Sequence, residues 1–246
     1  MKHFTVLLSI SEQLGPEQVT QLLNEHFSRA TAIIKRHGGT VNRFIGDAIM
    51  AFWGAPLADE RQALNACLAA RDMQADMRKL REELAQRGLP PLNMRIGIHS
   101  GAAIGGNLGS SDRFDYTAIG DSVNLAARLE GVNKLYATEI LLSADTANQV
   151  GDKLAFRRVD RVIVKGKTEP IDIFTISDNL QINALSSQAF DAYCLKDWAG
   201  SEQLWRRVIV IRPDDSIASH YLGRIAKLRN TSIPEEWTGA TALEKL

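Results

Sequence analysis

Apolar residues recur at three- and four-residue spacing through Val19, Leu22, Leu23, Phe27, Ala30, Ile33 and Ile34, leaving Glu17, Glu25, Arg29 and Lys35 outward. That period predicts an amphipathic helix with Pro16 in its first turn, running to about His37 and stopped by Gly38-Gly39. Ahead of it, Phe4 to Ile10 reads as a strand. Behind it, Thr40 to Phe44 and Ala48 to Trp53 read as two short strands around Ile45-Gly46-Asp47, the length and composition of a tight hairpin turn. A long helix from about Asp59 to Gln86 follows and ends at Arg87-Gly88, with Pro90-Pro91 beyond.

Met94 to His99 predicts another strand, and Gly101, Gly105, Gly106 and Gly109 a loop with a short strand. Asp115 to Ile119 reads as strand, Gly120-Asp121 as a cap, and Ser122 to Asn133 as a helix. Phe156 to Val164 and Ile171 to Ile176 form a last strand pair around Lys165-Gly166-Lys167. Strands alternating with helices imply an α/β or α+β sandwich, one sheet covered by helices. After about Ser177 the pattern turns wholly helical, with two or three amphipathic segments between Gln188 and Leu228. These look like a tetratricopeptide-type helix pair and are expected to form a small appendage over 185–230, with a tail at 231–246.

Composition narrows the classes of function. The 246 residues carry 29 basic and 29 acidic side chains and are 45% apolar. A protein that neutralises nucleic-acid phosphates usually shows a basic surplus, so nucleic acid is excluded as the expected partner. The apolar content is that of a folded chain. The longest apolar run, Ala48 to Leu57, is broken by Gly54 and Pro56, so no membrane span is expected. The two cysteines, Cys67 and Cys194, stand far apart in helical patterns and suit buried thiols in a reducing cytoplasm.

Several residues have a plain explanation when taken singly. An aspartate in a Gly-Asp turn, such as Asp47, is more often a turn residue than a ligand. Asn124 and Arg128 stand four apart, on one helix face, where an amide and a solvated arginine are unremarkable. A lysine in a glycine-containing turn, such as Lys165, is usually just exposed.

Context changes those readings. The strings LNEHFSRATAIIKRHGGTVNRFIGDAIMAFWGAP, MRIGIHSGAAIGGNLGSSDRFDYTAIGDSVNLAARLEG and VKGKTEP follow one another in order at sensible spacing. Over Gly15 to Ile176 the chain thereby resembles the class III nucleotidyl cyclase catalytic domain, and 1–178 is expected to form it. The resemblance implies an α+β, ferredoxin-like core whose sheet is covered by helices. It also implies head-to-tail pairing of two domains and sites at their interface, where ATP or GTP is cyclised with release of pyrophosphate. An in-line attack of the ribose 3′ oxygen on the α-phosphorus calls for divalent cations, Mg2+ or Mn2+, and for donors facing the developing charge. By resemblance Asp47 is one of two metal-binding carboxylates, Asn124 orients the ribose, Arg128 stabilises the transition-state phosphate and Lys165 binds the triphosphate.

The pair that reads the purine aligns with Arg43 and Thr117. Lysine is usual at the first position in adenylyl cyclases, and glutamate with cysteine in guanylyl cyclases, so Arg43 departs from both. Thr117, and the lack of an acidic residue at 43, favour ATP over GTP. A second departure is larger. The family follows its first strand with an Asp-Ile-x-Gly-Phe loop carrying the other metal carboxylate, and here about seven residues of that loop are missing. No aspartate precedes Asp47, and Glu12 is the sole carboxylate near the gap. A homodimer is therefore expected to be impaired, and a heterodimer with a complete cyclase domain to work, because each site takes metals from one domain and purine contacts from the other. The alternatives are a catalytically inactive regulatory or binding module and a guanylyl cyclase.

Overall fold

Helix α1 spans Pro16–Arg36, and its ends carry the chemistry helices favour: proline in the first turn with Glu17, Lys35 and Arg36 in the last. The structure, a computed structural model, describes residues 14–110, 113–164, 169–234 and 236–243. The expected first strand (Phe4 to Ile10), Glu12 and Lys165 lie outside these residues. The chain forms two compact units, one from 1–94 with 103–120, the other from 95–102 with 121–246.

In the first unit α1 packs on α2 (Gln62–Gln86) through Leu22, Met77, Leu80 and Leu84. The expected outward position of Glu25 and Arg29 does not hold. Arg29 reaches across to Asp76 at 2.9 Å and Glu83 at 2.6 Å, and Glu25 binds Arg87 at 2.8 Å, so both side chains are half-buried between the helices. The helix α2 begins three residues later than expected. Strands β1 (Thr40–Ile45) and β2 (Ala48–Phe52) form an antiparallel hairpin. The glycine-rich run, expected as loop with a short strand, is the seven-residue strand β4 (Ile104–Ser110), paired along its length with β5 (Arg113–Ile119).

The second unit holds β3 (Ile96–Ile98), α3 (Asp121–Tyr136), β6 (Ile140–Ser143), α4 (Ala144–Val150), β7 (Phe156–Val164) and β8 (Ile171–Ile176). Helices α5 (Leu180–Cys194), α6 (Trp198–Ile211) and α7 (Ser216–Leu228) follow, then a short strand β9 (Thr241–Leu243) inside the stretch expected as tail. Among the described residues the five-stranded sheet runs β3-β6-β8-β7-β9. Among the described residues the hairpin and the β4–β5 ribbon each pair as two strands, and the whole is the mixed helix-and-strand core that was expected. One buried cluster joins Leu129, Tyr136, Val159, Val162 and Ile173 to Phe190, Trp205 and Tyr221 of the last three helices. Helix α5 packs on β7, α6 on α5 and α7 on α6, within that one cluster.

Candidate active site

The hairpin tip is a two-residue turn. Gly46 has φ +61° at the first central position, the place a type II′ turn reserves for glycine, and Asp47 follows it, half-buried. On α1, burial holds the His26 imidazole below its ordinary pKa, while the Asp47 and Asp76 carboxylates pull it back up. Phe27 stacks on Phe44 with ring centroids 4.3 Å apart, fixing the hairpin against α1.

The register of β1 on β2 slips between Val41 and Arg43. Strand side chains normally alternate in direction, but this irregularity at Asn42 lets two successive side chains reach β5. Arg43 Nη2 donates to Thr117 Oγ1 at 3.0 Å, so two residues 74 apart in sequence meet as a pair. Asn42 completes the group: its Nδ2 donates to the Tyr116 carbonyl oxygen at 2.6 Å. Its Oδ1 accepts from Arg43 Nε at 3.1 Å and from Thr117 Oγ1 at 3.0 Å. Arg43 is exposed, whereas Thr117 is 5% exposed beneath it. The structure brings the motif residues Arg43 and Thr117 together and adds Asn42, whose contact depends on a strand irregularity that no residue type announces.

In the second unit Asn124 and Arg128 lie one turn apart on α3, away from the face that buries Leu125, Leu129 and Val132. Asn124 is exposed and Arg128 partly so. Among the described residues neither has a hydrogen-bond or ion-pair partner, which leaves both heads available. The helix beneath them is held tightly. A side-chain carbon at Gly97 of β3 would lie 2.1 Å from the Ala126 carbonyl oxygen, so helix and strand backbones are in direct apposition. The fully buried Asn133 donates to the Ile96 carbonyl oxygen at 3.0 Å and accepts from Thr138 Oγ1 at 2.8 Å, tying α3 to the same strand.

The carboxylates do not by themselves suit a divalent cation. Among the described residues no group of three or more His, Cys, Asp or Glu side chains stands ready to hold a metal ion. Hard cations of this kind take about six oxygen ligands, and Asp47 offers one carboxylate beside a largely neutral imidazole. The described residues instead offer donors: a guanidinium with a hydroxyl on the hairpin side, an amide with a second guanidinium on α3. Such groups bind and orient anionic or purine-like atoms. No helix among the described residues is long and apolar enough to cross a membrane.

Residues 1–178 match the adenylate and guanylate cyclase catalytic domain family. Adenylate cyclase 1 of Rhizobium meliloti is 38% identical over 168 residues, 68% of this chain and 25% of that protein. The adenylate cyclase of Anabaena cylindrica is 34% identical over 175 residues and is covered over 34% of its length. The chain thus spans about a quarter to a third of these relatives. Among solved structures, the adenylyl cyclase CyaB of P. aeruginosa superposes with TM-score 0.65 at 34% identity, covering 70% of this chain and 89% of that one. A guanylyl cyclase crystal structure superposes with TM-score 0.64 at 35% identity, covering 70% and 86%. The matching segment holds the hairpin, the Arg43–Thr117 pair and α3 alike, and the chain belongs to the adenylate and guanylate cyclase catalytic domain family.

Proposed function

We propose that this chain cyclises ATP to cyclic AMP and pyrophosphate at a site completed by a second cyclase domain. The observation that carries the reading is the 3.0 Å bond between Arg43 and Thr117, which offers a cationic donor and a hydroxyl side by side. A purine with a ring-nitrogen acceptor next to an amino donor matches that pair. Asn124 orients the ribose so that its 3′ oxygen lies in line with the α-phosphorus. A new bond forms between them as the bond to pyrophosphate breaks. Arg128 faces the negative charge that gathers on the α-phosphate, where a positioned cation lowers the barrier most. Lys165 takes the triphosphate by its place in the motif.

Metal dependence is general in this family, and here the donor set supports a division of labour. This chain supplies purine, ribose and phosphate contacts, and a complete partner domain supplies the missing carboxylate. Exposed Phe44, Ile45, Ile104 and Ile119 on the hairpin and ribbon support pairing with another domain. A second reading, a cyclase-like regulatory module without turnover, is favoured by the absence of any aspartate ahead of Asp47.

One assay separates the two. The purified chain alone, with Mg2+ or Mn2+ and ATP or GTP, is expected to give near-background cyclic product. Mixed with a complete cyclase domain it is expected to give cyclic AMP, and Arg128→Ala in this chain to cut that gain about 10²–10³-fold. Robust turnover by the chain alone refutes the division of labour. Silence with every complete partner favours the regulatory module.

A further inference from the structure

We infer that Asn42 sets the hydrogen-bond polarity of the purine-reading pair and is thereby a positioning residue for the choice of adenine over guanine. The inference rests on the reading of Arg43 and Thr117 as that pair and goes one step deeper. The Tyr116 carbonyl oxygen only accepts, so the Asn42 amide nitrogen must face it at 2.6 Å. The amide oxygen is then turned toward Arg43 Nε at 3.1 Å and Thr117 Oγ1 at 3.0 Å. An amide oxygen cannot donate and a guanidinium cannot accept, so the threonine hydroxyl has one consistent arrangement. It gives its single proton to Asn42 and receives one from Arg43 Nη2.

What Thr117 has left is a lone pair. Adenine presents an amino donor beside its N1 acceptor, whereas guanine presents the O6 acceptor beside an N1–H donor. A hydroxyl confined to accepting matches the adenine amine and opposes guanine O6, while the spare N–H groups of Arg43 match adenine N1. When the guanidinium turns from Thr117 toward a base, Asn42 still keeps the proton. Without Asn42 the hydroxyl rotates freely and can donate to O6. The strand slip between Val41 and Arg43 makes this possible, because it brings adjacent side chains to the same partner strand.

The test compares wild type, Asn42→Leu and Asn42→Ala. Calorimetry reads ATP and GTP binding by this chain, and steady-state rates with a complete cyclase domain read KM and kcat. Asn42→Leu and the smaller Asn42→Ala are expected to lower the ATP-over-GTP ratio about tenfold, through KM, with kcat for ATP nearly unchanged. Retained preference in the leucine and alanine variants overturns the inference, as does an equal loss for both purines. In those cases a selective wild type leaves the cyclase reading standing. A wild type that adds no turnover of either triphosphate to a complete cyclase domain overturns both.

Discussion

Gly97 leaves no space for a methyl group, because its added carbon would meet the Ala126 carbonyl oxygen at 2.1 Å and the Glu130 amide nitrogen at 2.3 Å. Both neighbours are backbone, so relief requires α3 to move and to carry Asn124 and Arg128 with it. Gly97→Ala is expected to cost about 1–3 kcal/mol in denaturant unfolding. It is also expected to cut co-assembled cyclase activity about 10²-fold, since roughly an ångström of misplacement is enough. Unchanged unfolding and unchanged rate would show that α3 tolerates the shift. Within the motif around Gly97 the sequence offers only a glycine in a strand, and the reason for it is the backbone of α3, at Ala126 and beyond. Asn42 is hidden in the same way. Arg43 and Thr117 are legible because the motif fixes their positions, while the residue that orients them is reached only once β1 slips and β5 arrives.

Elements with strong periodicity are legible nearly to their ends. The run Phe156 to Val164 and the run Ile171 to Ile176 match β7 and β8 at both bounds, and the Gly46-Asp47 hairpin stands where its turn chemistry puts it. β6 was not legible, because all four of its residues are buried and its apolar run carries no alternation. Seven-residue α4 is too short for a helical period to emerge. Glycines at 105, 106 and 109 masked β4, whose pairing with β5 rather than its own propensity makes it a strand. Two helices also share a pH response. Burial lowers the pKa of His26 on α1, against the pull of Asp47 and Asp76. Burial and the Arg224 charge lower that of His220 on α7, against Asp160. Each imidazole is neutral in the fold and takes a proton more readily once unfolded. Stability is therefore full above the ordinary value of about 6.5 and declines as pH falls below it. Thermal melts from pH 8 to 5.5 are expected to show a falling Tm, with a shallower fall in His26→Gln or His220→Gln. A flat profile in wild type would contradict both shifts.

Across the molecule, the second unit is organised around Asp160, which is fully buried in β7. It accepts from Tyr136 of α3, from Arg224 of α7 at 2.8 Å, from Thr241 of β9 at 2.7 Å and from the Arg161 amide at 2.7 Å. Desolvation opposes the charge on Arg224, but the Asp160 carboxylate together with the oxygens of Tyr221, Tyr193 and Tyr136 outweighs it and keeps the guanidinium protonated. A second ion pair, Arg157 with Asp215 at 2.6 Å, joins β7 to the start of α7 with both side chains buried. Arg224→Met strands the carboxylate of Asp160 in the interior and is expected to cost about 3–5 kcal/mol in urea unfolding, far more than an exposed pair would. A loss below about 1 kcal/mol would mean that water reaches Asp160. The wholly helical pattern marked residues after about Ser177 as different in kind, but it gave no sign that their apolar side chains join the same buried cluster.

That shared interior bears on how the gene product can be cut and rejoined. The family match stops at 178, and a builder of chimeras would place a junction there. Such a splice would strip Trp205, Tyr221 and Leu243 from the oily chamber and leave Val159, Val162 and Ile173 facing water. A transplantable module from this protein ends after the final short strand, with its helices still attached.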